Sequence, residues 1–120
     1  MKKNGKRGLP RLVAAFHSSL AGLRSAFQEE EAFRQELLLC MVFAPLAFWI
    51  GENGFEQALL VGSLLLILIV EILNSAVETV VDRIGLERHP LSGKAKDMGS
   101  AAVFLSLVNA AVIWLLIFLG

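Results

Sequence analysis

Glu71, Asn74, Glu78 and Asp82 stand at steps of three, four and four in an otherwise largely apolar stretch. In a helix that spacing puts all four on one face. Glu71 and Glu78, seven residues apart, would be separated by about 10 Å along the axis. A carboxylate in or near hydrocarbon costs roughly 2.5 kcal/mol or more, so two on one stripe need a partner, a proton or a metal. Such carboxylates suit a hard cation such as Mg²⁺, which is commonly held by one or two carboxylates together with phosphate oxygens and water. Transfer of a phosphoryl group needs that metal, cationic clamps and a base for the acceptor hydroxyl. The deeper carboxylate, Glu71, is placed to take a proton from a hydroxyl near the membrane surface. Two other classes stay open. In one, Glu71 and Asn74 only hydrogen-bond neighbouring helices. In the other, Glu71 and Glu78 line a proton or cation path. Soluble-kinase signatures are missing: Ser92-Gly93-Lys94 has no upstream P-loop glycine, and no HRD or DFG occurs.

The elements that must carry this stripe follow from composition. The 120 residues suffice for one domain and are 56% hydrophobic, above the ~45–50% of soluble proteins. The mean hydropathy is +0.66. The excess lies in three blocks, so the class is integral membrane. We expect an all-α polytopic membrane protein with a tail and amphipathic surface helix over 1–30. Transmembrane helices are expected over 33–51, 57–84 and 98–119. The basic start lacks an apolar h-region with a cleavage site, so no signal peptide is expected. Cys40 is the one cysteine, which leaves no intrachain disulfide and fits a small core or lipid-facing residue.

Residues 1–10 are basic and Gly-rich and are expected to be loosely ordered. From Leu12, apolar residues recur at 12, 13, 16, 20, 23 and 27, a helical period with one apolar face. A basic amphipathic helix here is expected to lie in the membrane interface. Glu29, Glu30, Glu31 and Glu36 gather before the first apolar block, a solvated charge run or a source of a second carboxylate for the stripe. That block has only about 14 unbroken apolar residues, Leu37 to Ile50, and needs its polar flank to reach the ~20 of a span. Pro45 is a possible kink, and residues 51–56 read as a short turn. The segment 85–97 reads as a polar loop. Gly99, Ala102, Ser106, Asn109, Ala110 and Ile113 form a mostly small-residue face suited to close helix packing, with Asn109 as helix–helix glue. Trp49 and Trp114 suit the far interface. Seven Lys and Arg precede residue 35, four lie within 82–97 and none in the 52–57 turn. The N-terminus and the 82–97 loop are therefore expected in the cytoplasm.

The string from Glu71 to Arg83, EILNSAVETVVDR, resembles the signature of the prokaryotic integral-membrane diacylglycerol kinases. Glu30 to Glu36, EEAFRQE, and Leu91 to Ser100, LSGKAKDMGS, match in the same order. The resemblance covers nearly the whole chain. It implies ATP- and Mg²⁺-dependent phosphorylation of diacylglycerol to phosphatidic acid by a homotrimer in the bacterial inner membrane, with active sites between subunits. Carried over, Glu71 is the general base, and Glu30 and Glu78 hold the metal with ATP. Asn74, Lys96 and Asp97 belong to the nucleotide site, together with Arg11, Ser18, Glu87 and His89. Arg34, Glu36 and Ser100, with Glu71, line the lipid side. Some relatives carry lysine at the position of Ala14 and an aromatic at that of Ser18. Arg88 and Pro90 also depart from the pattern beside His89. The family includes undecaprenol kinases, the alternative within it.

Overall fold

The computed structural model describes residues 7–120. Those residues form four α-helices and no strand: α1 (Leu9–Glu29), α2 (Glu31–Ile50), α3 (Gly54–Ile84) and α4 (Pro90–Leu119). The last three are long and apolar enough to cross a membrane. The expected order of one amphipathic helix and three spans holds. What was expected for 1–6 falls outside the described residues.

α1 starts after Gly8, whose φ of 63° lies in the left-handed region that favours glycine. Pro10 occupies its first turn, where a missing N–H costs nothing. Its apolar face, Leu9, Leu12, Phe16, Leu20, Leu23 and Phe27, is exposed, and only Ala26 of the helix is buried. This is the pattern of a helix that meets lipid rather than protein.

Glu30 is the corner. Its extended backbone (φ −114°, ψ 108°) ends α1 and begins α2. Arg34, one turn into α2, donates through Nη1 to the Phe27 and Gln28 carbonyls at 2.7 and 3.2 Å. A cation on the last carbonyls of α1 is matched to the negative end of the helix dipole.

α2 continues through Pro45 without interruption. The turn after it is shorter than the sequence implies, because α3 begins at Gly54. Asn53 caps α3 by accepting from Glu56 N at 2.9 Å, and Glu56 reaches back to Glu52 N at 3.0 Å. Gln57 Nε2 donates to Gly51 O at 3.1 Å. A Cβ on Gly51 would stand 2.6 Å from Gln57 Cγ, so the turn requires glycine there.

α3 is the central helix, packed on α2 and most extensively on α4. Its 31 residues span about 46 Å, more than the ~30 Å hydrocarbon layer. Leu60, Ser63, Leu64, Ile67, Glu71 and Ser75 are its buried residues. They form one stripe, so the polar line that begins at Glu71 continues the packing line below it. Cys40, Leu64, Ile67 and Ala110 make the core. Cys40 Sγ lies 3.5 Å from Leu64 O, which makes this cysteine a core residue.

Three expectations need correction. The segment 85–97 is not one loop, because α4 begins at Pro90 and the third span's helix extends eight residues before 98. His89 caps it by accepting from Leu91 N on Nδ1 at 3.1 Å, and Pro90 follows at the first helical position. Trp114 is not an interfacial anchor. It is partly buried, and its Nε1 donates to Ser63 Oγ at 3.0 Å while that hydroxyl donates to Leu60 O at 2.7 Å. This pair links α4 to α3 at membrane depth. Asn109, expected as the glue, makes no side-chain hydrogen bond among the described residues. On the small-residue face Ser106 and Ala110 are buried, Gly99, Asn109 and Ile113 are half-buried, and Ala102 is exposed.

Candidate functional site

α2 and α4 run antiparallel to α3, so the Glu30 corner, the C-terminal end of α3 and the N-terminal end of α4 lie together. Burial falls steadily along the α3 stripe. Glu71 is 4% exposed, Asn74 and Glu78 are half-buried, and Asp82 is exposed. The four residues therefore pass from the helix core to the outer end.

At the deep end, Glu71 meets Glu36 of α2 carboxyl to carboxyl. Glu36 Oε1 is buried and receives no hydrogen bond. Two facing carboxyls cannot both carry full charge without cost. A proton between them or a cation beside them relieves the repulsion.

One turn further out, Ser75 Oγ donates to Glu30 Oε1 at 3.3 Å. Ser75 and Glu78 are neighbours at i, i+3, so this bond holds the Glu30 carboxylate within a turn of Glu78. Asp82 pairs with Lys96 of α4 at 2.9 Å, and the Glu78 charge also acts on Lys96. Asn74 faces α4 at Gly99. No three of His, Cys, Asp and Glu converge among the described residues. Two carboxylates brought near each other still fit an ion such as Mg²⁺, which completes its shell with phosphate oxygens and water.

Beyond the stripe, an open cleft of about 490 Å³ is lined by Asp82, Glu87, Arg88, His89, Ser92 and Lys96, among others. With His89 Nδ1 accepting from the backbone, the neutral ring carries its proton on Nε2. A second cavity of about 570 Å³ lies in the angle between α1 and the α2–α3 pair. Its walls include Leu23, Phe27, Phe33, Leu65 and Ile72, with Arg24 at α1.

The structure thus gathers Glu36 with Glu71, Glu30 with Ser75, and Glu87, His89 and Lys96 around one cleft. Asp97 and Ser100 are exposed on α4. Arg11 and Ser18 lie on the polar side of α1, exposed and away from that cleft. Arg34 is occupied with the end of α1. Ser75 and Gly99 were not singled out as site residues in the sequence, although Ser75 stands four residues after Glu71 on the same stripe.

A family model described as prokaryotic diacylglycerol kinase matches residues 17–118. The chain belongs to the prokaryotic diacylglycerol kinase family. Its relatives include the diacylglycerol kinase of Haemophilus influenzae, 52% identical over 107 residues, or 89% of this chain and 91% of that one. The diacylglycerol kinase of Pseudomonas aeruginosa is 53% identical over 116 residues, covering 97% and 94%. That of Escherichia coli K12 is 47% identical over 111 residues, covering 92% and 91%. All of the stripe, the corner and the cleft fall within the matched region. A lipid-kinase family and three apolar helices together make this a multi-pass membrane protein.

Proposed function

We propose that the protein phosphorylates diacylglycerol to phosphatidic acid, using ATP and Mg²⁺, at the cytoplasmic face of the bacterial inner membrane. The observation that carries this reading is the graded stripe on α3. It joins a carboxyl pair, Glu71 buried and Glu36 half-buried, to a charged cleft at the outer end. The substrate has the same division, with tails in the bilayer and a hydroxyl at its surface. The clustering of all eleven Lys and Arg before residue 35 and after residue 82, at one end of the helix bundle, supports the cytoplasmic orientation.

In this mechanism the hydroxyl oxygen attacks the γ-phosphorus, the bond from that phosphorus to the bridging β,γ-oxygen breaks, and ADP leaves. Glu71 takes the hydroxyl proton. Glu30 and Glu78 would hold a Mg²⁺ ion, which would offset charge on the transferred group. Asn74 orients the reacting groups. Lys96 and Asp97 contact the nucleotide, with Glu87 and His89 at the same cleft. Glu36, Arg34 and Ser100 line the lipid side, and the apolar angle beside α1 is suited to an acyl chain.

A homotrimer with sites between subunits is part of the proposal. Arg11 lies 19 residues before Glu30, about 28 Å along a helix. Ser18 lies 12 residues before Glu30, about 18 Å along the helix, and both distances favour contact with a nucleotide held by a neighbouring protomer. The test is purified protein in a bilayer mimic with Mg-ATP and a panel of lipid alcohols that includes undecaprenol. Release of ADP should require diacylglycerol, ATP and Mg²⁺ together. Preference for undecaprenol would move the substrate assignment, and ion flux without phosphorylated lipid would overturn the kinase reading.

A further inference from the structure

We propose that Gly99 is a positioning residue for Asn74, an inference that rests on the placement of Asn74 in the kinase site. Gly99 lies well inside α4, away from either cap, and its φ is not in the left-handed region. Nothing in its backbone requires glycine, and glycine inside a helix is less favourable than alanine. The requirement comes from the neighbouring helix. A Cβ on residue 99 would collide with Asn74 Oδ1 and stand 3.1 Å from Asn74 Cγ. The amide oxygen of Asn74 therefore fills the space that a side chain at 99 would take.

The chemistry of that contact fixes which end of the amide faces which way. The absent Cβ lies along a Cα–H bond of Gly99, so Oδ1 meets a C–H group, a weak attraction. The oxygen is fully buried and has no hydrogen-bond partner. An NH₂ in its place would point two donors at a methylene. With the oxygen held against α4, Nδ2 faces the other way and keeps its donors for an incoming oxygen. A phosphate or a lipid hydroxyl supplies one. Gly99 thus acts through Asn74 and touches no substrate itself.

The test compares the parent, Gly99→Ala, Asn74→Ala and the double variant, each purified in a bilayer mimic and assayed with diacylglycerol and Mg-ATP. Gly99→Ala should lower kcat at least tenfold, and its changes in kcat and KM should follow those of Asn74→Ala. In the Asn74→Ala background, Gly99→Ala should cost no more than twofold. The side-chain amide resonance of Asn74 should shift in Gly99→Ala. If Gly99→Ala fails to assemble, the double variant, which removes the collision, should assemble. Parent-like activity of Gly99→Ala, an equal loss in both backgrounds, or a double variant that also fails to assemble would overturn the inference. Full turnover by Asn74→Ala would instead remove Asn74 from the site. A shifted Asn74 resonance in Gly99→Ala would then still uphold the contact.

Discussion

The Ser75 hydroxyl donates to Glu30 across 3.3 Å and ties the corner between α1 and α2 to the middle of the α3 stripe. Glu30 has no helix of its own. It stands extended between two, so its carboxylate depends on this bond and on the backbone corner for its position. Hydrogen bonds to charged groups contribute about 1.5–3 kcal/mol, or roughly tenfold or more in an equilibrium. Ser75→Ala should therefore raise the Mg²⁺ concentration for half-maximal activity about tenfold without disturbing assembly. Glu30→Gln and Glu78→Gln should weaken Mg-ATP use more severely. A Mg²⁺ titration with unchanged midpoint in Ser75→Ala would show that the bond does not set the metal site.

Arg34 tests a second feature of the same corner. Its guanidinium holds two carbonyls at the end of α1. Arg34→Ala should free them and speed amide exchange in the last turn of α1, leaving the spans unaffected. Hydrogen-exchange mass spectrometry reads this directly. The proposed lipid-side role of Arg34 predicts in addition a higher KM for diacylglycerol. Faster exchange with an unchanged lipid KM would leave Arg34 as a helix cap alone.

Trp114 and Ser63 make the polar link between α4 and α3. Trp114→Phe keeps an aromatic edge against Phe43, now 5.4 Å from the Trp114 ring between centroids, but removes the donor. Such bonds in membranes average about 0.6 kcal/mol. A small fall in Tm with activity within twofold of the parent is expected. An unchanged Tm would mean that the ring acts only by filling space.

Much of the architecture was legible because hydropathy and helical period are local properties. The face of α1 and the three spans could be read from residue order, as could the 71, 74, 78 and 82 spacing. The corner at Glu30 could not. Gln28 to Glu31 contains no glycine or proline, and each residue favours a helix. The break is held by Arg34 and Ser75, which reach it from other turns of the fold. The start of α4 was hidden for another reason. Gly93, Lys94, Lys96 and Asp97 look like loop residues, while the true signals were His89 as a cap and Pro90 at the first helical position. The packing of Trp114 is hidden in the sequence because its nearness to a span's end is local, whereas the Ser63 hydroxyl it meets lies across the helix interface. The roles of Ser75 and Gly99 likewise exist only once a neighbouring helix is in place.

The last prediction concerns Glu71 itself. It is almost wholly buried, about two turns deeper than Glu78, and meets Glu36. A lipid hydroxyl whose tails stay in the bilayer can approach that depth, whereas water is largely excluded. General-base catalysis commonly contributes roughly 10²–10⁴-fold. Glu71→Gln keeps the shape and can donate to Glu36, so packing and oligomeric state should persist, but it cannot take the proton. Turnover should fall by about that factor, with Mg-ATP binding close to the parent's. Glu78→Gln should lose nucleotide binding together with turnover, which separates a base from a metal ligand. Glu36→Gln leaves Glu71 without a competing carboxylate and should preserve most turnover while changing its pH profile. Equilibrium binding of Mg-ATP and single-turnover rates on the three variants provide the check. Turnover within a fewfold of the parent in Glu71→Gln would remove Glu71 as the base. The hydroxyl proton would then pass to a phosphate oxygen or to Asp97.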